Sequence, residues 1–449
     1  MTQSALADLL SAWLPAQRWF AGSGAQVRQV EITSDVALAD GDPELRHLLA
    51  DAWLGQEKVG CQVPVGIRSE LPEALGDAAI GTLHDGRIAY DAARDPELTA
   101  VLLRGIAARR TAGPLRFAAE PGAVIDQTAA GRTLPALASN TSIVFGDQAI
   151  LKLLRRPFAG HHPDLEVPAA LARNGSTLVA APLGWIELSG AANTSAGGEP
   201  VVLAILSVYF AHSTDGWSLA TAILRTAEPD FSDQARLLGE TTARLHAELA
   251  AAFGTSVLSR YALTDLVDAM QTELTRAIRV VPRLREYETA VRAGYAELTE
   301  PDTEVPVQRI HGDYHLGQVL GTDGGWIVLD FEGEPSVPLA RRRAFAPALR
   351  DVAGMLRSFD YAARQQALRR PEDPRQARVA AGWVRQCHDA FCAGYAKLAG
   401  TNPWDSGPLL RSLTLQKAVY EAVYEARHRP DWLPIPLGAI AEATDDGGR

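Results

Sequence analysis

Two carboxylates and an amide are spaced along one short stretch, Gln308–Pro335, which reads QRIHGDYHLGQVLGTDGGWIVLDFEGEP. Asp313 comes first, Gln318 follows five residues later, and Asp330 seventeen residues after Asp313. The apolar run Trp326–Leu329 leads straight into Asp330, which sets that carboxylate at a strand end. Val305–Ile310 leads into His311 in the same way, and Gly321–Gly325 between them reads as a tight turn. The stretch is therefore a loop and hairpin that gathers Asp313, Gln318 and Asp330. Carboxylate and amide oxygens are hard ligands, the kind that holds Mg²⁺ together with phosphates. Gln318 and Asp330 are the candidate metal ligands. Phosphoryl transfer also needs a group that orients the acceptor hydroxyl and takes its proton, and Asp313 is the candidate base. The plainer reading, two acidic turns with solvated carboxylates, leaves the spacing unexplained.

HGDYHLGQ followed by LDFEGE resembles the catalytic loop and metal-binding segment of the kinase-like aminoglycoside and choline phosphotransferase superfamily. There an HGD-x-H-x-x-N loop and a D-[FW]-E segment take the places of the protein-kinase catalytic loop and DFG. Gln318 stands where most of that superfamily has Asn. Bacterial maltokinases, with HGD-x-HLGQ and DFEGEP, are the closer match. Their N-terminal WLP-x-QRW[FY]AG signature is similar to Trp13–Gly22, and their YE-x-x-YE-x-x-x-RPDW ending is similar to Tyr420–Trp432. The resemblance runs over essentially the whole chain. It implies an α+β, bilobal, eukaryotic-protein-kinase-like fold in three parts. These are an N-terminal cap subdomain (residues 1–108), a nucleotide-gripping sheet and hinge (109–210), and an all-helical C-lobe with the catalytic loop and sugar site (211–449). It also implies ATP as donor between the lobes, Mg²⁺ as its companion, and His315 and Glu332 beside the acceptor.

Composition narrows the partners. The chain has 449 residues, 47% hydrophobic and 22% charged, which is ordinary for a globular protein and long enough for more than one core. A net charge of −11 argues against a nucleic-acid surface. The three cysteines, Cys61, Cys387 and Cys392, form no CxxC pair, which fits a reducing cytoplasm. The start MTQSALADLL lacks the pattern of a secretory signal, and no apolar run reaches membrane-spanning length. A soluble monomer is expected.

The elements that must position this chemistry follow in chain order. Residues 5–14 read as an amphipathic helix ended by Pro15, with Trp19 and Phe20 as core anchors. Val27–Ile32 and Gly60–Gly66 read as strands, Leu71–Leu83 and Leu98–Ala108 as helices. Ile143–Phe145 and Ile150–Leu154 form a hairpin around Gly146. The polar turn before it, Ser139, Asn140, Thr141 and Ser142, can cradle phosphates with hydroxyls and backbone N–H groups. Lys152, in mid-strand, can reach the α- and β-phosphates as the kinase β3 lysine does. Glu166 opens the next helix, after Pro163, and can pair with Lys152. His161 and His162 just before it read as a solvated loop. Val201–Leu206 is a buried strand, after which Ser207 and Tyr209 fall where a kinase hinge meets adenine.

The rest reads as helices, among them Ser232–Phe253 with Ser232 as its cap and His246 on the apolar face. Asp351 begins a helix whose dipole it suits. In the last helix Tyr420 with Tyr424, and Glu421 with Glu425, stand at i, i+4 and share a face. Carboxylates accept hydroxyl hydrogen bonds and rings pack on the apolar faces of sugars, so this ridge suits a sugar as well as it suits a partly exposed amphipathic helix. The resemblance of the ending to maltokinases implies Glu421, Glu425 and Trp432 as sugar contacts. By resemblance the acceptor is maltose, giving maltose 1-phosphate for α-glucan (glycogen-like) synthesis, with trehalose upstream and a trehalose-converting enzyme as partner. Maltokinases carry Glu-Gln where Leu137 and Ala138 stand here. Glucosamine kinases, which form glucosamine 6-phosphate, are the alternative. A non-catalytic partner of a trehalose-converting enzyme is the alternative of another class.

Overall fold

The structure, a computed structural model, describes residues 3–20, 24, 26–135, 140–188, 199–226, 228–299, 304–334, 337–368 and 374–445. It divides into two compact units, Met1–Ala169 with Ala180–Ala211, and Ala170–Val179 with His212–Arg449.

The first unit holds two antiparallel sheets. Helix Gln3–Trp13 is ended by a 3₁₀ turn, Leu14–Ala16, that carries Pro15. Leu6, Leu10 and Leu14 recur every four residues and all three are fully buried. They pack with Trp19 and Phe20 on the five-stranded cap sheet. Its strands run in the order Gln29–Ala39, Glu44–Leu54, Glu57–Arg68, Ile88–Asp91, Ala79–Thr82. The helix expected over Leu71–Leu83 is absent. A 3₁₀ turn, Glu73–Ala78, and the strand Ala79–Thr82 stand there instead. Pro72 sits at the cap of that turn, and Gly81, at φ 159°, lies against Leu9, so Pro and Gly override the apolar periodicity.

The second sheet has seven strands. In order they are Thr111–Ala112, Leu115–Ala119, Pro182–Leu188, Val201–Val208, Ala149–Leu153, Thr141–Phe145 and Gly131–Thr133. The expected hairpin is the pair Thr141–Phe145 and Ala149–Leu153, turned at Gly146 with φ 55°. Leu151 and Leu153 are buried on one face, so Lys152 points to the other. A buried amide joins the two sheets. Gln62 Nε2 donates to the carbonyls of Leu154 and Leu203, both at 2.5 Å, and Gln62 Oε1 meets His47 Nε2 at 2.8 Å.

Among its described residues the second unit is helical apart from two small ladders. One joins Thr214–Asp215, Val319–Thr322 and Gly325–Val328; the other joins Thr255–Val257 and Pro306–Gln308. Helices Ser232–Phe253 and Pro374–Ala399 touch backbone to backbone. A Cβ on Gly239 would stand 2.0 Å from the Phe391 carbonyl, and one on Gly394 2.0 Å from that of Arg236. Ser232 is not the cap. It is the first helical residue, and its N–H donates to Asp230 Oδ1 at 2.8 Å.

Candidate active site

The hairpin Val319–Thr322 and Gly325–Val328 holds the ends of the site together. Val319 pairs with Val328, and one step further Leu329 N–H donates to the Gln318 carbonyl at 2.9 Å. Gln318 and Asp330 are thereby placed side by side, and Gln318 Nε2 donates to Asp330 Oδ2 at 3.0 Å. With its amide nitrogen turned to Asp330, Gln318 keeps its carbonyl oxygen for another partner. Asp330 has φ 62°, a left-handed conformation uncommon for a non-glycine residue and adopted more readily by Asp than by most. An amide oxygen beside a carboxylate at a fixed turn fits a hard divalent cation. Glu332 is half-buried two residues on, and its carbonyl accepts from Arg342 Nη1 at 3.1 Å.

The loop carrying Asp313 is held from beneath by one buried carboxylate. Asp351 accepts from His311 N–H at 2.8 Å, from Gly312 N–H at 2.9 Å and from His246 Nε2 at 3.1 Å. Burial alone would push this carboxyl up. The hydrogen bond and charge of His246, the charge of His311 and the Gly312 N–H outweigh it and hold the group below the usual aspartate value. A depressed folded-state pKa stabilises the protein above the unfolded aspartate value, about 3.9, and that contribution disappears as pH falls through the folded value. Asp351→Asn should therefore unfold at lower urea than the parent at pH 7, with the gap closing in buffers below about pH 4. An equal gap at both pH values would contradict this role.

His311 completes the support. Its Nε2 meets the Leu329 carbonyl at 2.7 Å, tying loop to hairpin, and its Nδ1 accepts from Asp313 N–H at 3.3 Å. Tyr314 hydroxyl meets Thr242 at 3.0 Å, and Leu316 N–H donates to Ser358 Oγ at 3.0 Å. The helix Leu349–Leu368 passes so close that a Cβ on Gly354 would stand 2.6 Å from the Tyr314 carbonyl. Gly354→Ala should lower kcat at least about tenfold by displacing the loop, since even about 1 Å of misplacement costs more than that. Steady-state kinetics on the folded variant checks this, and an unchanged kcat would show that the loop tolerates the shift.

A cavity of about 680 Å³ opens beside this loop, lined among others by Asp313, His315, Lys417, Glu421, Glu425 and Trp432. Helix Gly407–His428 supplies its acidic wall. Lys417 Nζ stands 3.2 Å from Asp313 Oδ1. Burial works to lower the Lys417 pKa, but Asp313, Glu334 and Glu421 raise it, so the amine stays charged. Glu421 is buried against Arg357, whose Nε and Nη2 both donate to its Oε2, at 2.9 and 2.7 Å. No hydrogen bond among the described residues engages Glu421 Oε1. Burial pushes the Glu421 carboxyl up, and Arg357 only partly counters it. Arg357 also donates to Asp360. Glu425 is answered by Arg429 on both oxygens, at 2.7 and 2.9 Å, and by the Tyr361 hydroxyl at 3.2 Å. The Trp432 ring lies under the Arg429 guanidinium at 4.3 Å. His315 Nδ1 accepts from Gly317 N–H at 3.0 Å, and burial holds its pKa below the usual histidine value, outweighing the charge of Asp313.

In the first unit Lys152 Nζ meets Asp164 Oδ2 at 2.8 Å. Asp164 and Glu166 both stand in the first turn of helix Pro163–Arg173. Ser142 is directly opposite Lys152 and shares its face of the sheet. Thr141 is turned inward, its hydroxyl accepting from Arg155 Nε at 2.8 Å. Asn140 precedes the strand; Ser139, Leu137 and Ala138 lie outside the described residues. Ser207 pairs with Ile150, and Tyr209 N–H donates to the Gln148 carbonyl at 2.8 Å, so that donor is already taken. His162 is not solvated as expected: it is buried and its ring stacks on Phe158 at 4.8 Å.

Comparison with known proteins adds the family. The maltokinase N-terminal cap domain matches residues 13–95, and the phosphotransferase enzyme family matches residues 130–334. A glucosamine kinase of Streptacidiphilus jiangxiensis is 34% identical over 336 residues, 71% of this chain and 72% of that one. A glucosamine kinase of Mycolicibacterium smegmatis is 30% identical over 340 residues, 72% of this chain and 82% of the relative. The chain belongs to the maltokinase-like phosphotransferase family. A solved glucosamine kinase in complex with glucosamine, ADP and inorganic phosphate is similar at TM-score 0.70 and 25% identity, covering 98% of this chain and 99% of that one. A second crystal form gives TM-score 0.72 at 25% identity, covering 99% and 100%.

This phosphotransferase is thus a kinase that acts on a hydroxyl acceptor, with the kinase-like α+β fold expected of it. Among its described residues no helix is long and apolar enough to cross a membrane. Four residues of the site escaped the sequence reading: Asp164, Asp351 as the loop anchor, Arg357 and Lys417. Only Lys417 left a usable signal, since it precedes Glu421 by four residues on the same helix face.

Proposed function

We propose that this kinase transfers the γ-phosphoryl group of ATP to an amino sugar, with glucosamine as acceptor and glucosamine 6-phosphate as product. The observation that carries the reading is the acidic wall of the cavity. Glu421 is buried there with Oε1 open to a partner, and Glu425 stands one turn on. A buried carboxylate gains most from a cation that brings its own donors, which a sugar ammonium is. The resemblance to glucosamine kinases supports the same acceptor.

In this reading Asp313 accepts the hydrogen bond of the acceptor hydroxyl and takes its proton. The sugar oxygen forms a bond to the γ-phosphorus while the bond to the bridging oxygen of ADP breaks in line. Lys152, steadied by Asp164, which shares the first turn of its helix with Glu166, serves the α- and β-phosphates. Ser142 serves them from the neighbouring strand and Asn140 from just before it. Gln318 Oε1 and Asp330 would hold Mg²⁺, which neutralises phosphate charge when bound. Trp432 and the Tyr420 and Tyr424 rings offer flat faces to the sugar. The enzyme works as a cytoplasmic monomer.

Maltose is the second reading, favoured by the match of residues 13–95 to the maltokinase cap domain. It would give maltose 1-phosphate for α-glucan synthesis, beside a trehalose-converting enzyme. ADP release with Mg-ATP, measured against glucosamine, glucose and maltose in parallel, separates the two. Highest kcat/KM with glucosamine is the expected result. Turnover confined to maltose would overturn the first reading and install the second.

A further inference from the structure

We infer that Lys417 sorts the acceptor by charge: it keeps the sugar ammonium away from Asp313 and so selects which hydroxyl is phosphorylated. The inference rests on the amino-sugar reading above. The loop Gly312–Gln318 contains no Lys or Arg, so the cation beside Asp313 comes from the helix Gly407–His428 instead. Lys417 Nζ is 3.2 Å from Asp313 Oδ1 and 5.1 Å from the Tyr420 ring centroid. It is the cation within ion-pair distance of Asp313 among the described residues. Glu421 lies four residues further along the same face, about 6 Å along the axis. The cavity wall therefore offers a cation next to the base and an anion one turn away.

An aminohexose can enter this cavity in two ways. With its ammonium on Glu421, a hydroxyl from the far side of the ring meets Asp313. With its ammonium on Asp313, that carboxylate is blocked and no hydroxyl reaches it. Without Lys417 the second orientation would prevail. Glu421 is already answered on Oε2 by Arg357, whereas Asp313 would have lost its cation. Lys417 prevents this, because a second ammonium brought to Asp313 would stand within about 6 Å of Nζ in a half-buried site, where like charges repel more than they do in bulk water. On a ring with its amine at C2, the C1 and C3 hydroxyls adjoin the amine, whereas the C4 hydroxyl and the exocyclic C6 hydroxyl do not. Sorting by charge thus keeps the C1 and C3 hydroxyls from the base, and of the two that remain the primary C6 hydroxyl, on its exocyclic carbon, reaches furthest from the ring.

The test compares Lys417→Met, which keeps the stem and removes the charge, with Lys417→Arg, which keeps the charge. Unproductive binding lowers kcat and KM by the same factor and leaves kcat/KM nearly intact, a signature that mere loosening of the site does not give. K417M should show kcat and KM for glucosamine falling together by about tenfold, a factor well within the repulsion of two ammonium groups a few ångströms apart. K417R should keep both values within about threefold, as its charge is retained. A K417M enzyme with lowered kcat and unchanged or raised KM would overturn the sorting role. So would a K417R enzyme that behaves like K417M, and thermal unfolding of both variants identifies any loss of fold. Wild-type enzyme that ignores glucosamine would overturn the acceptor reading itself, a result distinguishable from failure of the variants alone.

Discussion

Asp313→Ala should lower kcat about a thousandfold, within the span general-base groups contribute, while ATP affinity stays within about twofold. The reasons lie in how the carboxylate is held. Its loop is fixed at His311 and Gly312 by Asp351, at Tyr314 by Thr242 and at Leu316 by Ser358. None of these contacts uses the Asp313 side chain, so its removal leaves the loop in place. What disappears is the acceptor for the sugar proton and the partner of Lys417. Lys152, proposed to serve the phosphates, is in the other unit and keeps its contact with Asp164. Single-turnover kinetics with saturating ATP measures the chemical step directly. A variant within about tenfold of the parent would remove Asp313 from the role of base.

Arg357→Ala should be the most damaging substitution for stability. The guanidinium is fully buried and reaches two carboxylates, Glu421 and Asp360, while packing 5.5 Å from the Tyr361 ring centroid. Burial opposes its charge, yet Glu421 and Asp360 outweigh that and raise its pKa further. Without it two buried carboxylates face each other with no cation between them, and breaking such a pair costs about 3–5 kcal/mol. Arg357→Lys should recover only part of this, since one ammonium cannot span two carboxylates as a planar fork does. Urea unfolding measures the loss. A change below about 1 kcal/mol, the scale of exposed pairs, would show that water already reaches this site.

The two halves of the site differ in how well they could be read from residues alone. Asp313, Gln318 and Asp330 fall within one loop and hairpin, so local patterning was enough to bring Gln318 onto Asp330. Lys417 and Arg357 are different. Their partners stand 104 and 64 residues away in sequence, and helical periodicity says which face is apolar without saying which helix it meets. Glu421 could be singled out as a candidate carboxylate on the last long helix, but the guanidinium that makes its burial tolerable could not. Asp164 and Glu166 show a finer limit. Both open one helix, and only the packed structure shows Asp164 against Lys152. Asp351 looked like a residue for a helix dipole, and it is the anchor of the loop that carries Asp313.

The most direct test is to incubate the full chain with Mg-ATP and glucosamine as the sole acceptor and to determine the product by ³¹P and ¹³C NMR. The account predicts one equivalent of ADP for each phosphosugar, with the phosphate on the C6 oxygen and the amine unmodified. ADP release without a phosphosugar, or phosphate on the anomeric oxygen, would contradict it.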